Sequence, residues 1–258
     1  MKELKSKGLG LAVISYDSPE ILTAFGKQRG IAGANPRMAG IAFPGTFMLD
    51  RSGRVKSRFF EDFYITRNTV SSILARTGTG NPVAGTKIST EHLEVTAYPS
   101  DAAIAPGNRI TLRFDIVPHR GIPVYAPGAT SYRVIALKLE SQSLIRVLLT
   151  KYPSSQMYFF KPMNERVPVY EKPFTLLQDV ELDGTPQAQA ALRGKESLTL
   201  NATLEYQACD EKICFNPESV PLSWTFTLRR LIVERPSVTE TKAGKLALAM
   251  DHMAGTLE

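Results

Sequence analysis

Tyr206-Gln207-Ala208-Cys209-Asp210-Glu211-Lys212-Ile213-Cys214-Phe215-Asn216-Pro217 holds both cysteines of the 258-residue chain, with four residues between them. Upstream, Leu198, Leu200, Ala202, Leu204 and Tyr206 alternate with Thr199, Asn201, Thr203, Glu205 and Gln207, the period-two pattern of a half-buried strand. Downstream, Val220, Leu222, Trp224, Phe226 and Leu228 alternate in the same way with polar or proline neighbours. Two such strands around a short polar segment read as a β-hairpin. Cys209 continues the parity of the polar face, so its sulfur is expected at the water-facing end of the hairpin.

The legs of a hairpin loop bring Cα atoms within the roughly 7 Å that a cystine requires. Closing so short a loop stabilises by only about 2 kcal/mol in the chain-entropy treatment. Two readings follow from the local pattern: an inert clip across a loop, or a bond made and broken by a thiolate that reaches it. A structural zinc site calls for four clustered Cys/His ligands, and His92, His119 and His252 are too dispersed to complete one, so neither a metal nor another cofactor is expected.

The net charge is +6, with a sequence pI near 9.3. Residues 1–80 carry 12 Lys+Arg against 6 Asp+Glu, and the rest of the chain balances at 19 of each. Without a basic stripe interleaved with aromatics, nucleic-acid binding is not expected. No apolar run approaches the roughly 20 residues that cross a bilayer. Leu9–Ile14 follows a basic start but leads into Tyr16-Asp17-Ser18-Pro19 without a small-residue cleavage site. It reads as a first strand and not as a signal peptide. A protein that works through a disulfide belongs in an oxidising compartment, and the two observations together lead us to expect that the chain begins inside a longer protein.

Along the chain, Leu9–Ser15 reads as a strand, and Asp17-Ser18-Pro19-Glu20 opens a helix with Ile21, Leu22 and Phe25 on one face. Phe43–Asp50 and Arg54–Phe60 read as two strands about a turn, and Asn68–Arg76 as a closing helix. Pro44, Gly45, Thr46, Phe47, Asp50 and Gly53 match in order a pattern that resembles the second half of a thioredoxin-like domain of the peroxiredoxin/redoxin type. That resemblance implies a truncated α/β fragment over residues 1–80. The family's reactive cysteine lies in the preceding half-domain, and residues 1–80 contain none, so no peroxidase activity is expected.

Residues 81–89 read as a linker, 90–235 as a second domain and 236–258 as a flexible tail. Short alternating sets recur in the second domain at Leu93, Val95 and Ala97, at Ile110, Leu112, Phe114 and Ile116, at Ile135, Leu137 and Leu139, and at Phe174 and Leu176. Turns such as Ala105-Pro106-Gly107-Asn108 and Ala126-Pro127-Gly128 separate them. This is the pattern of an all-β immunoglobulin-like sandwich.

Within such a sandwich, Tyr206-Gln207-Ala208-Cys209, Cys214-Phe215-Asn216-Pro217 and Val220-Pro221-Leu222 resemble the N-terminal periplasmic domain of DsbD-type thiol:disulfide interchange proteins. His119–Gly128 is similar to that family's early glycine- and tyrosine-containing segment. The resemblance implies exchange at Cys209 and Cys214, a periplasmic location, and transient mixed disulfides with a thioredoxin-like or membrane-embedded thiol oxidoreductase and with periplasmic disulfide proteins. Tyr206, Gln207, Asp210, Phe215, Pro217, Tyr125 and Tyr170 are then the residues expected around the sulfurs. This chain has four residues between its cysteines where well-known members have five. Val167–Phe174 stands where the family has a cap loop, with Tyr170 as the expected shield. The competing expectation, of a different class, is a non-catalytic binding module with a structural disulfide.

Overall fold

The computed structural model describes residues 45–50, 52, 54–60, 66–79 and 83–230. The chain divides into two compact units, Met1–Tyr64 and Ile65–Glu258.

In the first unit, β1 (Gly45–Leu49) and β2 (Val55–Phe60) form an antiparallel hairpin. Its turn is built by Asp50, whose Oδ1 accepts from the Ser52 and Arg54 amides at 2.9 and 3.0 Å. The strand at Leu9–Ser15, the helix after Pro19, and the tail from 236 lie outside the described residues.

Among the described residues the expected α/β thioredoxin-like fragment is not evident, which corrects the two-part fold class. The described residues are dominated by β-structure. The segment that would close such a fragment belongs to the second unit instead. There β3 (Arg67–Asn68) pairs in parallel with the start of β7 (Asn108–Pro118). Helix α1 (Val70–Thr77) follows, capped by the Thr69 hydroxyl, which accepts from the Ser72 amide at 3.0 Å, and ended by Gly78 at φ +71°. The Arg76 guanidinium on its last turn reaches Thr111 Oγ1 at 3.0 Å and Asp179 Oδ1 at 3.2 Å. Arg113 Nη1 donates to the Ala75 carbonyl at 3.2 Å. The helix therefore settles on the polar outer face of the sandwich, because that face supplies partners for its last turn.

The second unit is a β-sandwich. One sheet runs β10 (Ile145–Val147), β13 (Phe174–Leu182), β7, β5 (Leu93–Pro99), β4 (Thr86–Ser89). The facing sheet runs β6 (Ala103–Ile104), β15 (Glu218–Leu228), β14 (Ser197–Tyr206), β9 (Ala136–Leu139). Alternate residues of β5, β7 and β13 meet alternate residues of β14 and β15 in one continuous core. Phe114 meets the chain's one tryptophan, Trp224, edge to face at 5.9 Å. Thr86–Ser89, expected within the linker, is the edge strand β4. A third sheet of three strands, β11 (Gln156–Phe160), β12 (Glu165–Tyr170) and β8 (Val124–Tyr125), lies against one end of the sandwich. A short helix α2 (Pro186–Leu192) joins β13 to β14.

Candidate functional site around Cys209 and Cys214

The β14–β15 ladder runs in register from Ser197↔Thr227 to Tyr206↔Glu218, as the two alternating sequence patterns require. Beyond it the two legs pair again at Cys209↔Cys214, an antiparallel bridge. The flanking bonds, Phe215 N–H to Ala208 O and Asp210 N–H to Ile213 O, are both 3.0 Å. The cysteines are thus a non-hydrogen-bonded pair, the arrangement in which Cα atoms lie about 4.5 Å apart and side chains approach most closely. That separation falls inside the cystine range. Both residues are free thiols in this structure. The loop between them is already folded: Asp210 Oδ1 accepts from the amides of Lys212 and Ile213, each at 2.7 Å.

Cys209 is fully buried, which corrects its expected exposure to water. The strand parity was read correctly; the face it points to is covered. Cys209 packs in one buried cluster with Tyr125, Ala129, Phe160, Val167 and Val169, four of which belong to the third sheet. Burial, with the neighbouring Cys214 and Asp210, pushes the Cys209 thiol up to about 11. Cys214 is only partly covered, and its Sγ lies 3.1 Å from the Tyr125 hydroxyl. Burial and contact with both thiols raise the Tyr125 phenol, which stays protonated at neutral pH. The Tyr125 ring stacks on Tyr132 with centroids 4.0 Å apart. Tyr132 in turn donates to Glu165, and burial together with that carboxylate pushes its phenol up to about 12.

Tyr125 is fixed from three sides. Its amide donates to Gln207 O at 3.1 Å, its carbonyl accepts from Ile135 at 2.9 Å, and β8 pairs with β12 at Val169↔Tyr125. Cys209 N–H donates to Pro123 O at 3.1 Å. The segment 123–125 is therefore stitched to the strand that carries Cys209. Gln207 joins the legs by side chain: its Nε2 donates to Phe215 O and its Oε1 accepts from Arg133 N–H, both at 2.9 Å.

The remaining expected site residues are placed differently. Tyr206 points into the sandwich core, where its hydroxyl meets Thr90 and Glu218. Phe215 packs its ring against His92 at 4.3 Å. Pro217 is exposed on the return leg. Tyr170 stacks on Phe174 and donates to Pro153 O at 2.9 Å. It belongs to the main core, and so does not shield the sulfurs. The cover is the β11–β12 hairpin, together with Tyr132. Val167 and Val169 come from the stretch expected to stand for the cap loop, whereas Tyr132, Tyr158 and Phe160 were not expected, because a buried strand and a lid share one sequence pattern. The available signal was the run Tyr158-Phe159-Phe160 directly before the Lys161-Pro162 turn. A cleft of about 270 Å³ opens beside the loop, lined by Gly121, Ile122, Pro123, Tyr158, Glu171 and Glu211.

No family model matches the chain, and no curated protein matches it. Among solved structures it is similar to the N-terminal periplasmic domain of ScsB from Proteus mirabilis, at 14% identity and a TM-score of 0.37 over 63% of this chain. The chain spans 57% of the length of that domain. It is similar also to the GAE domain of GGA2p from Saccharomyces cerevisiae, at 10% identity and a TM-score of 0.28, over 58% of this chain and 100% of that one. A third likeness is to the SrpA adhesin from Streptococcus sanguinis, at 14% identity and a TM-score of 0.29, over 66% of this chain and 78% of that one. At these scores the likenesses carry no functional weight. The fold and site define a β-sandwich with a facing, unequally buried pair of cysteines.

Proposed function

We propose that this chain exchanges thiols and disulfides through Cys209 and Cys214, in an extracytoplasmic, oxidising compartment. The observation that carries the reading is the facing cysteine pair itself, one sulfur sealed and the other partly open beside a tyrosine hydroxyl. The Cys214 thiolate attacks a partner's disulfide, forming a Cys214–partner bond while the partner's other sulfur leaves as a thiolate and takes up a proton. Cys209 then loses its proton and attacks Cys214 Sγ, which forms the intramolecular cystine and releases the partner's second thiol. Two electrons and two protons pass to the partner, and a partner dithiol restores the pair by the reverse route. Thioredoxin-like or membrane-embedded thiol oxidoreductases and periplasmic disulfide proteins are partners of the required chemistry.

Differential alkylation and trapping test the assignment. In the reduced protein Cys214 reacts with iodoacetamide at least about tenfold faster than Cys209, whose high pKa leaves little thiolate. Cys209→Ser accumulates a mixed disulfide on Cys214 with glutathione, and Cys214→Ser does not. A reduction potential far below about −300 mV in a glutathione series, or equal trapping by both variants, would sink the proposal. Complete burial of Cys209 favours a second reading, a binding module whose disulfide is only a clip. In that case the double serine variant keeps its partner affinity.

A further inference from the structure

His92 sits in the turn between β4 and β5 with its side chain only 4% exposed. Its Nδ1 lies 2.6 Å from Glu218 Oε1, yet without the alignment a hydrogen bond needs, and Nε2 has no hydrogen-bond partner. A buried imidazole with neither nitrogen satisfied carries an uncompensated desolvation cost. Beside it stand two carboxylates, Glu218 at 30% exposure and the exposed Glu91. One ligand atom from each of the three residues lies within 4.8 Å of the others. The Tyr206 hydroxyl donates to Glu218 Oε2 at 2.7 Å. Two carboxylates converging on a buried imidazole are a cation's donor set, and a metal ion would satisfy the imidazole and offset their mutual repulsion.

We propose that Glu91, His92 and Glu218 bind a divalent transition metal, with Zn²⁺ as the fitting probe. One imidazole nitrogen and two carboxylate oxygens suit Zn²⁺ better than Mg²⁺ or Ca²⁺. Zn²⁺–ligand bonds of about 2.0–2.2 Å place tetrahedral ligands about 3.4 Å apart. To reach that spacing the 2.6 Å gap between His92 Nδ1 and Glu218 Oε1 opens and the exposed Glu91 side chain closes inward, and water takes the fourth position. The His92 side of the site is held by its own turn. Thr90 Oγ1 accepts from the His92 and Leu93 amides at 3.3 and 3.1 Å, and the His92 ring is held by Phe215. Glu218 opens β15 opposite Tyr206, so the ion would tie the β4–β5 turn to the foot of the cysteine hairpin.

A reduced dithiol also binds Zn²⁺, so the test uses the full chain carrying Cys209→Ser and Cys214→Ser, which separates this site from the proposed sulfur chemistry. Calorimetric titration with ZnCl₂ is expected to show one Zn²⁺ per chain at micromolar or tighter affinity, unaffected by excess Mg²⁺. Adding Glu91→Gln, a surface change that leaves the fold intact by circular dichroism, weakens binding at least about tenfold. The same change abolishes the Zn²⁺-dependent rise in the thermal midpoint. Glu218→Gln gives the same loss of affinity. Absence of saturable one-to-one binding below about 100 µM Zn²⁺, or affinity unchanged in Glu91→Gln, overturns the proposal.

Discussion

Tyr125 is the residue through which β8 reaches the sulfur pair. Its hydroxyl lies 3.1 Å from Cys214 Sγ, and its ring is held flat against Tyr132. A hydroxyl donating to a sulfur that carries negative charge stabilises that charge, and hydrogen bonds to charged groups are the stronger kind. Tyr125→Phe removes the hydroxyl and keeps the stacked ring. We expect exchange with oxidised glutathione at Cys214 to slow by about three- to tenfold, with a stability loss under about 1.5 kcal/mol. Stopped-flow thiol exchange beside a urea titration measures the two together. An unchanged exchange rate would show that the contact contributes only to packing. The sequence marks Tyr125 as a site residue only through family resemblance. No periodicity could pair it with Cys214, because the two are 89 positions apart.

At the scale of elements, the hairpin β14–β15 was readable because its outer and inner faces differ in polarity along ten paired positions. The cover over Cys209 was not, since period two says which residues share a face and not what lies above it. The polar parity that Cys209 inherits from Asn201, Thr203 and Glu205 holds along the ladder, but beyond it Cys209 shares a buried cluster with Tyr125 of β8 and with Phe160, Val167 and Val169 of the β11–β12 hairpin. Phe160 is the buried aromatic that this hairpin contributes to the enclosure. Phe160→Ala is expected to cost about 3 to 5 kcal/mol and to speed alkylation of Cys209 severalfold in the reduced protein. Tyr170→Phe, in the same hairpin but outside the enclosure, loses one hydrogen bond worth about 1 kcal/mol and leaves both alkylation rates unchanged. Mass-spectrometric alkylation time courses on the two variants separate lid from core. Faster Cys209 labelling in Tyr170→Phe would restore that residue as the shield.

For the whole molecule, the sandwich was legible from recurring short alternating strands, whereas the fate of Asn68–Arg76 was not. That helix carries the same Ile73 and Leu74 stripe in either setting, and its choice of partner is made by Arg76, Asp179 and Thr111, which converge only once the sheet exists. The cysteine pair is coupled to the stability of this whole unit through protons. Folding raises the Cys209 thiol to about 11, whereas an unfolded thiol ionises near 8.5. The folded state therefore binds the proton more tightly, and the associated stability is complete below the unfolded pKa. As pH rises from about 8.5 through about 11, the unfolded chain loses its proton first and the reduced protein is destabilised. The oxidised protein has no such thiol, and phenols raised by burial, such as Tyr206, weaken both forms in the same direction. Near neutrality the oxidised form should be the more stable by about 2 kcal/mol from loop closure. That gap is expected to widen by on the order of 1 to 2 kcal/mol between pH 8 and pH 11, less than the full shift because water reaching the partly covered Cys214 beside Cys209 screens part of the effect. Urea unfolding followed by Trp224 fluorescence at several pH values, in both redox states, reads the gap directly. A gap independent of pH would mean that the Cys209 sulfur meets water in the folded protein as freely as in the unfolded chain.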